Sequence, residues 1–259
     1  MAKHDKLDTV LNHPHMTDIE WRTFAKLLGI QGLKECGLEK RRTIVNEELR
    51  HSYGHSVANA FRDEFKPDYS EILIGVAKKL KVGEIPSITS EHSINIEELE
   101  NKILIRVMEM VKEDIIKKDG QEGLKKWEEK FKEDFEEGFR EGRYSEEDYN
   151  YFKKYGFWGL FATLIAGKMS GFWIYMIANQ AFFAVSRFFG LGIGVAAAGS
   201  IIGKGLAAFL GPVGWGIAGA WVIKDLGDTN WKKVIPTIVF AISLRRRFRL
   251  PALPAPQES

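Results

Sequence analysis

The sequence predicts an all-α protein: an N-terminal domain of amphipathic helices followed by a glycine-rich hydrophobic helical hairpin or bundle. Apolar residues recur at steps of three and four behind helix-start signals, and convincing alternating strand patterns do not occur. Composition then changes sharply near residue 155. The residues up to 154 carry 32 acidic and 27 basic side chains, whereas the remainder carries 3 and 10.

This change divides the chain into three expected regions. They are a soluble helical domain at 1–155, a hydrophobic and membrane-associated helical region at 156–249, and a disordered proline-rich tail at 250–259. Of the 25 glycines, 15 lie in the hydrophobic region. The single cysteine, Cys36, excludes an intramolecular disulfide.

Capping signals mark the helix starts in the first region. Thr17 and Glu20 have the spacing of a capping box, in which each side chain pairs with a backbone amide of the other. Asp68 and Asn95 take the N-cap position before two further apolar-periodic stretches. We expect Gly120 to end the helix that starts after Asn95, because glycine favours the backbone conformation that terminates helices.

An aromatic stripe follows that glycine. Leu124, Trp127, Phe131, Phe135 and Phe139 recur at steps of three and four, with lysine and glutamate on the other faces. The stripe predicts core packing, and a partner-binding face is the alternative.

The hydrophobic region has few charges, since only Lys168, Arg187 and Lys204 interrupt residues 157–223. A helix needs about 20 apolar residues to cross a bilayer. Two of the uninterrupted pieces approach that length, and the number of spans stays open. Helix-breaking residues predict elements near 157–168, 170–189, 191–210, 212–226 and 230–248.

Small residues in this region are spaced for close helix packing. G-x-x-x-G pairs place two glycines on one helix face, which is an association motif in lipid. The three pairs are Gly167 with Gly171, Gly190 with Gly194, and Gly199 with Gly203.

A basic run closes the hydrophobic region. Arg245, Arg246, Arg247 and Arg249 follow an apolar helix and predict a patch that faces anionic lipid on the cytoplasmic side of a membrane. A cytoplasmic bundle that buries the hydrophobic helices is the alternative location. We expect no nucleic-acid partner, because the net charge is only +2. Self-association or a protein partner through the hydrophobic helices fits the same pattern.

One cluster has the spacing of a metal site. His51 and His55 are four residues apart, and Glu48 lies one turn earlier. Zinc needs a further protein ligand, and we expect Gly54 to break the helix between the histidines. No nucleophile motif is present. We therefore expect no cofactor and no catalytic residue, with zinc at this cluster as the alternative.

Three stretches carry a resemblance to a known family. They are EELRHSYGHSVANAFRDEF at 47–65, YSEILIGVAKKLKV at 69–82, and GPVGWGIAGAW with VIPTIVFAISLRRR between 211 and 247. With these stretches the chain resembles the YaaW-like family of uncharacterised bacterial proteins. The resemblance implies a polar block made of Glu48, His51, Ser56 and Asn59, and it implies no established activity.

The leading functional hypothesis is therefore a non-enzymatic, membrane-associated bacterial protein with a regulatory or scaffolding role. Conditional membrane insertion as a pore-like effector is one alternative. A metal-dependent enzyme or chaperone that uses Glu48 and His51 is the other.

Overall fold

The computed structural model describes most of the chain, and every regular element in the described part is helical. The described residues are 6–54, 67–83, 85, 95–142, 144–167, 169, 171–191 and 230–250. Their helices are α1 (Lys6–Leu11), α2 (Asp18–Leu28), α3 (Leu38–Tyr53), α4 (Tyr69–Lys79), α5 (Ile96–Arg140), α6 (Glu146–Ile165), α7 (Gly171–Phe188) and α8 (Trp231–Arg247), with a 3₁₀ turn at Leu33–Glu35. The prediction of an all-α fold is confirmed for these residues.

Helices α2, α4 and α5 begin directly after their predicted N-cap residues. The backbone N–H of Thr17 donates to Glu20 Oε2 at 2.6 Å, which is one half of the capping box. Asp68 Oδ1 accepts from the backbone N–H of Glu71 at 2.8 Å and starts α4. Asn95 caps α5 in the same way. These short-range polar signals mark where three helices begin.

Two glycines bend long helices. Gly120 has φ 63° and ψ −160°, and it divides α5 at the position where the sequence predicts a break. Gly156 has φ 62° and ψ 177°, and it divides α6. Side chains other than glycine rarely adopt this left-handed region. The second half of α5 therefore runs in a different direction from the first half, and it packs against α6.

The second half of α5, α6 and α7 meet in an aromatic layer, which we define as Trp127, Phe131, Phe135, Phe152, Phe157 and Trp173. The Phe135 ring stacks on Tyr144 with a centroid distance of 4.4 Å, and its centroid is 5.2 Å from that of Trp173. Phe131 and Phe135 are completely buried. Core packing, the predicted role of the aromatic stripe, is confirmed.

Helices α7 and α8 pack antiparallel. The rings of Phe182 and Phe240 lie 4.7 Å apart, and the Leu250 side chain reaches Gly171 at the start of α7. The end of α7 therefore lies beside the start of α8. As a result, Leu191 and Asn230, which bound residues 192–229, lie at the same end of this helical pair.

The predicted elements at 170–189 and 230–248 correspond to α7 and α8. Those at 191–210 and 212–226 lie outside the described residues. In the described part of the chain, none of the helices combines the length and the apolar character that a membrane crossing requires.

Helix α8 joins the two halves of the chain. It packs against α7 on one side and against α2, α3 and α4 on others, so its residues 234–246 are all buried. One continuous apolar core includes Leu7 at one end of the chain and Leu244 at the other. The composition changes near residue 155, but the described helices before and after that point share a core.

The glycine pairs do not all lie as predicted. Gly167 follows the end of α6 with φ 68°, whereas Gly171 is the first residue of α7. The two residues therefore flank a helix break, and this pair is not a helix-packing motif. Gly190 has φ 65° and lies in the turn after α7. Its partner Gly194 lies outside the described residues, as do both members of the third pair, Gly199 and Gly203.

Candidate functional site

The described parts of the three family-like stretches lie on α3, α4 and α8, and α8 packs against both other helices. The backbone N–H of Asn230, just before α8, donates to the carbonyl oxygen of Ser52 near the end of α3 at 2.9 Å. Lys233 Nζ lies 2.9 Å from Glu48 Oε1, and both side chains are about one-third exposed. We call this region, with the aromatic and α4 residues that complete it, the α3–α4–α8 junction.

Aromatic contacts complete the junction. The rings of Tyr53 and Trp231 meet edge to face with centroids 6.0 Å apart, and Lys79 Nζ lies 5.6 Å from the Trp231 ring centroid. The Tyr53 hydroxyl donates to the carbonyl oxygen of Glu71 at 3.2 Å. Burial raises the pKa of Tyr53, and Glu71 adds to the effect. A Cβ at Gly75 would lie 2.4 Å from the Tyr53 hydroxyl oxygen, so only glycine leaves room for this contact.

Glu48 forms an ion pair and a hydrogen bond with other residues of the chain. Its Oε1 accepts hydrogen bonds from Lys233 Nζ and from Ser52 Oγ, the latter at 3.3 Å. A carboxylate with an ammonium partner is a poorer zinc ligand, because the metal must displace that cation. Within the described ranges, no three His, Cys, Asp or Glu side chains are grouped as a metal site would require.

The other members of the predicted polar block are only partly described. His51 is exposed near the end of α3, and α3 ends at Tyr53, as Gly54 led us to expect. His55, Ser56 and Asn59 lie outside the described residues. The zinc site at Glu48, His51 and His55 therefore remains a prediction.

The arginine run at the end of α8 is buried among carboxylates. Arg246 Nη1 lies 2.5 Å from Glu97 Oε1, and its Nη2 lies 3.0 Å from Glu100 Oε2. The Arg246 side chain is 3% exposed, and Glu100 is fully buried. Nη2 also donates to Asn101 Oδ1 at 3.1 Å. We define the arginine–glutamate cluster as Glu20, Glu97, Glu100, Arg245, Arg246 and Arg247.

Arg245 approaches the same carboxylate from another side. Its Nε lies 3.1 Å from Glu100 Oε1, and its guanidinium lies 5.5 Å from the centroid of the Tyr69 ring. The Tyr69 hydroxyl donates to Glu100 Oε1 at 2.9 Å. Burial raises the pKa of Glu100, while the two guanidiniums and the tyrosine hydroxyl oppose that rise. Burial also raises the pKa of Tyr69.

Arg247 pairs with a third carboxylate, Glu20 on α2, which is 1% exposed. Its Nη2 also donates to the carbonyl oxygen of His15 at 3.2 Å. Tyr175 of α7 lies near this pair, and burial raises its pKa. The cluster thus connects α2, α5 and α8 at the end of α8, whereas the α3–α4–α8 junction lies at its start.

The prediction that Arg245, Arg246 and Arg247 face lipid is therefore wrong. Each of the three guanidiniums is at least seven-eighths buried and pairs with a carboxylate. Arg249 is about half exposed, and its Nη1 lies 2.7 Å from Glu97 Oε2. The physical reason is that ionised arginine is buried only when carboxylates compensate its charge, and here three glutamates do so.

The sequence did contain a signal for these carboxylates. Glu20 precedes Phe24 and Leu27 by four and seven residues, so it lies on the apolar stripe of α2. Glu100 precedes Ile103 and Leu104 on the stripe of α5. An acidic residue on an apolar stripe indicates a buried charge that needs a partner.

Comparisons with known proteins give one short match. A UPF0174 protein of Helicobacter pylori (strain J99 / ATCC 700824) is 35% identical over 85 residues, which are 32% of this chain and 33% of that protein. The chain thus spans about a third of that relative's length. No family model matches the chain. No solved structure matches it either. The resemblance to the YaaW-like family stays a prediction.

Proposed function

We propose that this protein is a non-enzymatic helical scaffold or regulator that associates with the bacterial inner membrane, on its cytoplasmic side, through residues 192–229. The observation that carries the proposal is the antiparallel pairing of α7 and α8. It brings Leu191 and Asn230 to the same end of the pair, next to the α3–α4–α8 junction. The two described residues that flank this apolar, glycine-rich stretch of sequence therefore lie at one end of the helical body.

The scarcity of charged residues also supports a membrane contact through residues 192–229. Residues 192–223 contain one charged side chain, Lys204, and apolar sequence of this kind favours lipid over water. The arginines that close α8 are paired within the protein, so the membrane contact falls to residues 192–229. In this proposal the helical body holds both ends of the segment, and its long charged helix α5 offers a surface to protein partners.

Vesicle flotation of the full-length protein tests the proposal. We expect the protein to float with vesicles that contain anionic lipid and to resist release by alkaline carbonate. A double substitution, Ile201→Asp with Ile202→Asp, places two charges in the apolar segment. Since one charge in the bilayer centre costs about 3 kcal/mol, we expect this variant to stay with the soluble fraction.

Arg249→Ala is the matched control for the arginine hypothesis. This residue is the most exposed of the four, and its removal leaves the buried pairs in place. We expect flotation to remain unchanged. Complete release of the wild-type protein by carbonate, or loss of flotation in Arg249→Ala alone, would contradict a tether formed by residues 192–229.

The pore-like alternative rests on the same segment and is distinguished by leakage. Vesicles loaded with a self-quenched dye report on permeability, and a scaffold leaves the dye inside while the protein floats. Dye release that depends on Ile201 and Ile202 would replace the scaffold with a membrane-perturbing effector.

A further inference from the structure

A groove lies between α2 and the turn that follows it. Its floor is apolar, because Trp21 and Ala25 come from one face of α2, while Ile30 and Leu33 come from the turn. Trp21 and Leu33 are nearly fully buried. The groove has a volume of about 420 Å³, within the range of sites that hold small molecules.

Local sequence preforms this groove. Gly29 ends α2 with φ 73°, and Gly32 turns the chain into the 3₁₀ turn with φ 69°. Both angles lie in the left-handed region that glycine adopts at no steric cost. The two glycines fold Ile30 and Leu33 back beside α2, so the groove does not depend on a bound molecule for its shape.

Arg41 fixes one wall. Its Nη1 donates to Asp18 Oδ1 at 2.6 Å, its Nη2 to the carbonyl oxygen of Lys34 at 2.6 Å, and its Nε to the carbonyl oxygen of Cys36 at 2.8 Å. The Arg41 side chain is only 12% exposed. This pairing also compensates part of the charge of Asp18, the carboxylate among the residues that line the groove, whose side chain is 71% exposed.

Two cations at the rim stay available. Arg22 and Lys34 line the groove, are exposed, and form no ion pair with any described residue.

We propose that this groove binds a small amphipathic anion, a flat apolar ring that carries a carboxylate. The apolar floor receives the ring, and the two rim cations attract the carboxylate. This site is independent of the proposed membrane association, since its residues lie in α2, α3 and the turn between them.

Isothermal titration of the full-length protein with 2-naphthoate tests the site. We expect saturable binding, and weaker binding by at least about tenfold for the neutral 2-naphthamide, because the amide loses the charge attraction. The double variant Arg22→Gln with Lys34→Gln should weaken naphthoate binding by about tenfold while leaving the fold unchanged, since both side chains are exposed. Ala25→Phe, which fills the groove, should abolish binding.

Lys125→Gln with Lys126→Gln is the matched control. It removes two positive charges from an exposed face of α5, far along the chain from the groove, and it should bind naphthoate as the wild-type protein does. Equal affinity for the acid and the amide would overturn the proposal. So would an equal loss in the control variant, or the absence of naphthoate binding at millimolar concentration. None of these outcomes changes the result expected from vesicle flotation, so either proposal can be contradicted without the other.

Discussion

The aromatic layer and the arginine–glutamate cluster are both buried, but different forces hold them. In the aromatic layer, many weak contacts add up, and each ring has several neighbours within 4 to 7 Å. In the cluster, a few strong pairs compensate charges that would be very costly alone, and a single carboxylate, Glu100, serves two arginines. A change in one ring of the layer leaves most of the other ring contacts in place. Loss of the Glu100 carboxylate, in contrast, removes a charge that compensates two buried arginines.

The largest expected effect is therefore at Glu100. Glu100→Gln keeps the size of the side chain but removes the charge that compensates Arg245 and Arg246, so we expect the free energy of unfolding to fall by about 3 kcal/mol. Chemical denaturation measures the loss. Glu98→Gln is the control on the same helix, because Glu98 is exposed and, among the described residues, forms an ion pair with Lys102 alone, so the loss of stability should stay within about 0.5 kcal/mol. A loss below about 1 kcal/mol in Glu100→Gln would mean that the carboxyl is already neutral in the folded protein.

A change of comparable size in the aromatic layer should cost less. Phe135→Leu keeps an apolar side chain in a fully buried position but removes the ring that stacks on Tyr144. We expect a loss of about 1 to 2 kcal/mol, measured in the same denaturation assay. If Phe135→Leu costs more than Glu100→Gln, the rings are as specific in their packing as the ion pairs are, and the contrast between the two regions disappears.

The contrast also explains how far the sequence could predict the fold. The aromatic stripe is a local pattern, so Phe131 and Phe135 could be assigned to the core from their spacing alone. Caps at Thr17, Asp68 and Asn95 are also local, and they were found. The break at Gly120 is likewise predicted from the local sequence, whereas the break at Gly156 within α6 is not.

The cluster is not local. Arg246 meets a carboxylate that is 146 positions earlier in the chain, and Arg247 meets one that is 227 positions earlier. An arginine run after an apolar helix has the same appearance in the sequence whether it faces lipid or buried glutamates. Only the apolar stripes that contain Glu20 and Glu100 distinguish the two cases. The α3–α4–α8 junction was found only in part, because Glu48 stood out as a possible ligand while its partner Lys233 did not.

A smaller effect is expected at that junction. Lys233 and Glu48 are each about one-third exposed, so water screens their attraction. We expect a double-mutant cycle with Glu48→Gln and Lys233→Met to give a coupling of at most about 1 kcal/mol. A coupling energy as large as the loss expected for Glu100→Gln would show that the junction is rigid and shielded from solvent. Glu48 would then be as important for stability as Glu100.

The smallest expected effect concerns pH and distinguishes the half-exposed Glu97 from the fully buried Glu100. The hydrogen bond from Arg249, with help from Arg246, lowers the pKa of Glu97 below its ordinary value of 4.5. An acid whose pKa is lowered by folding stabilises the protein above its unfolded-state pKa, and this contribution is lost as the pH falls through the lowered value. The stability difference between wild type and Glu97→Gln should therefore be largest near neutral pH and shrink below pH 4.5. Denaturation of both proteins across this range measures it. A difference that grows on acidification would mean that Glu97 destabilises the folded protein when ionised, and that the arginines are already satisfied by Glu100.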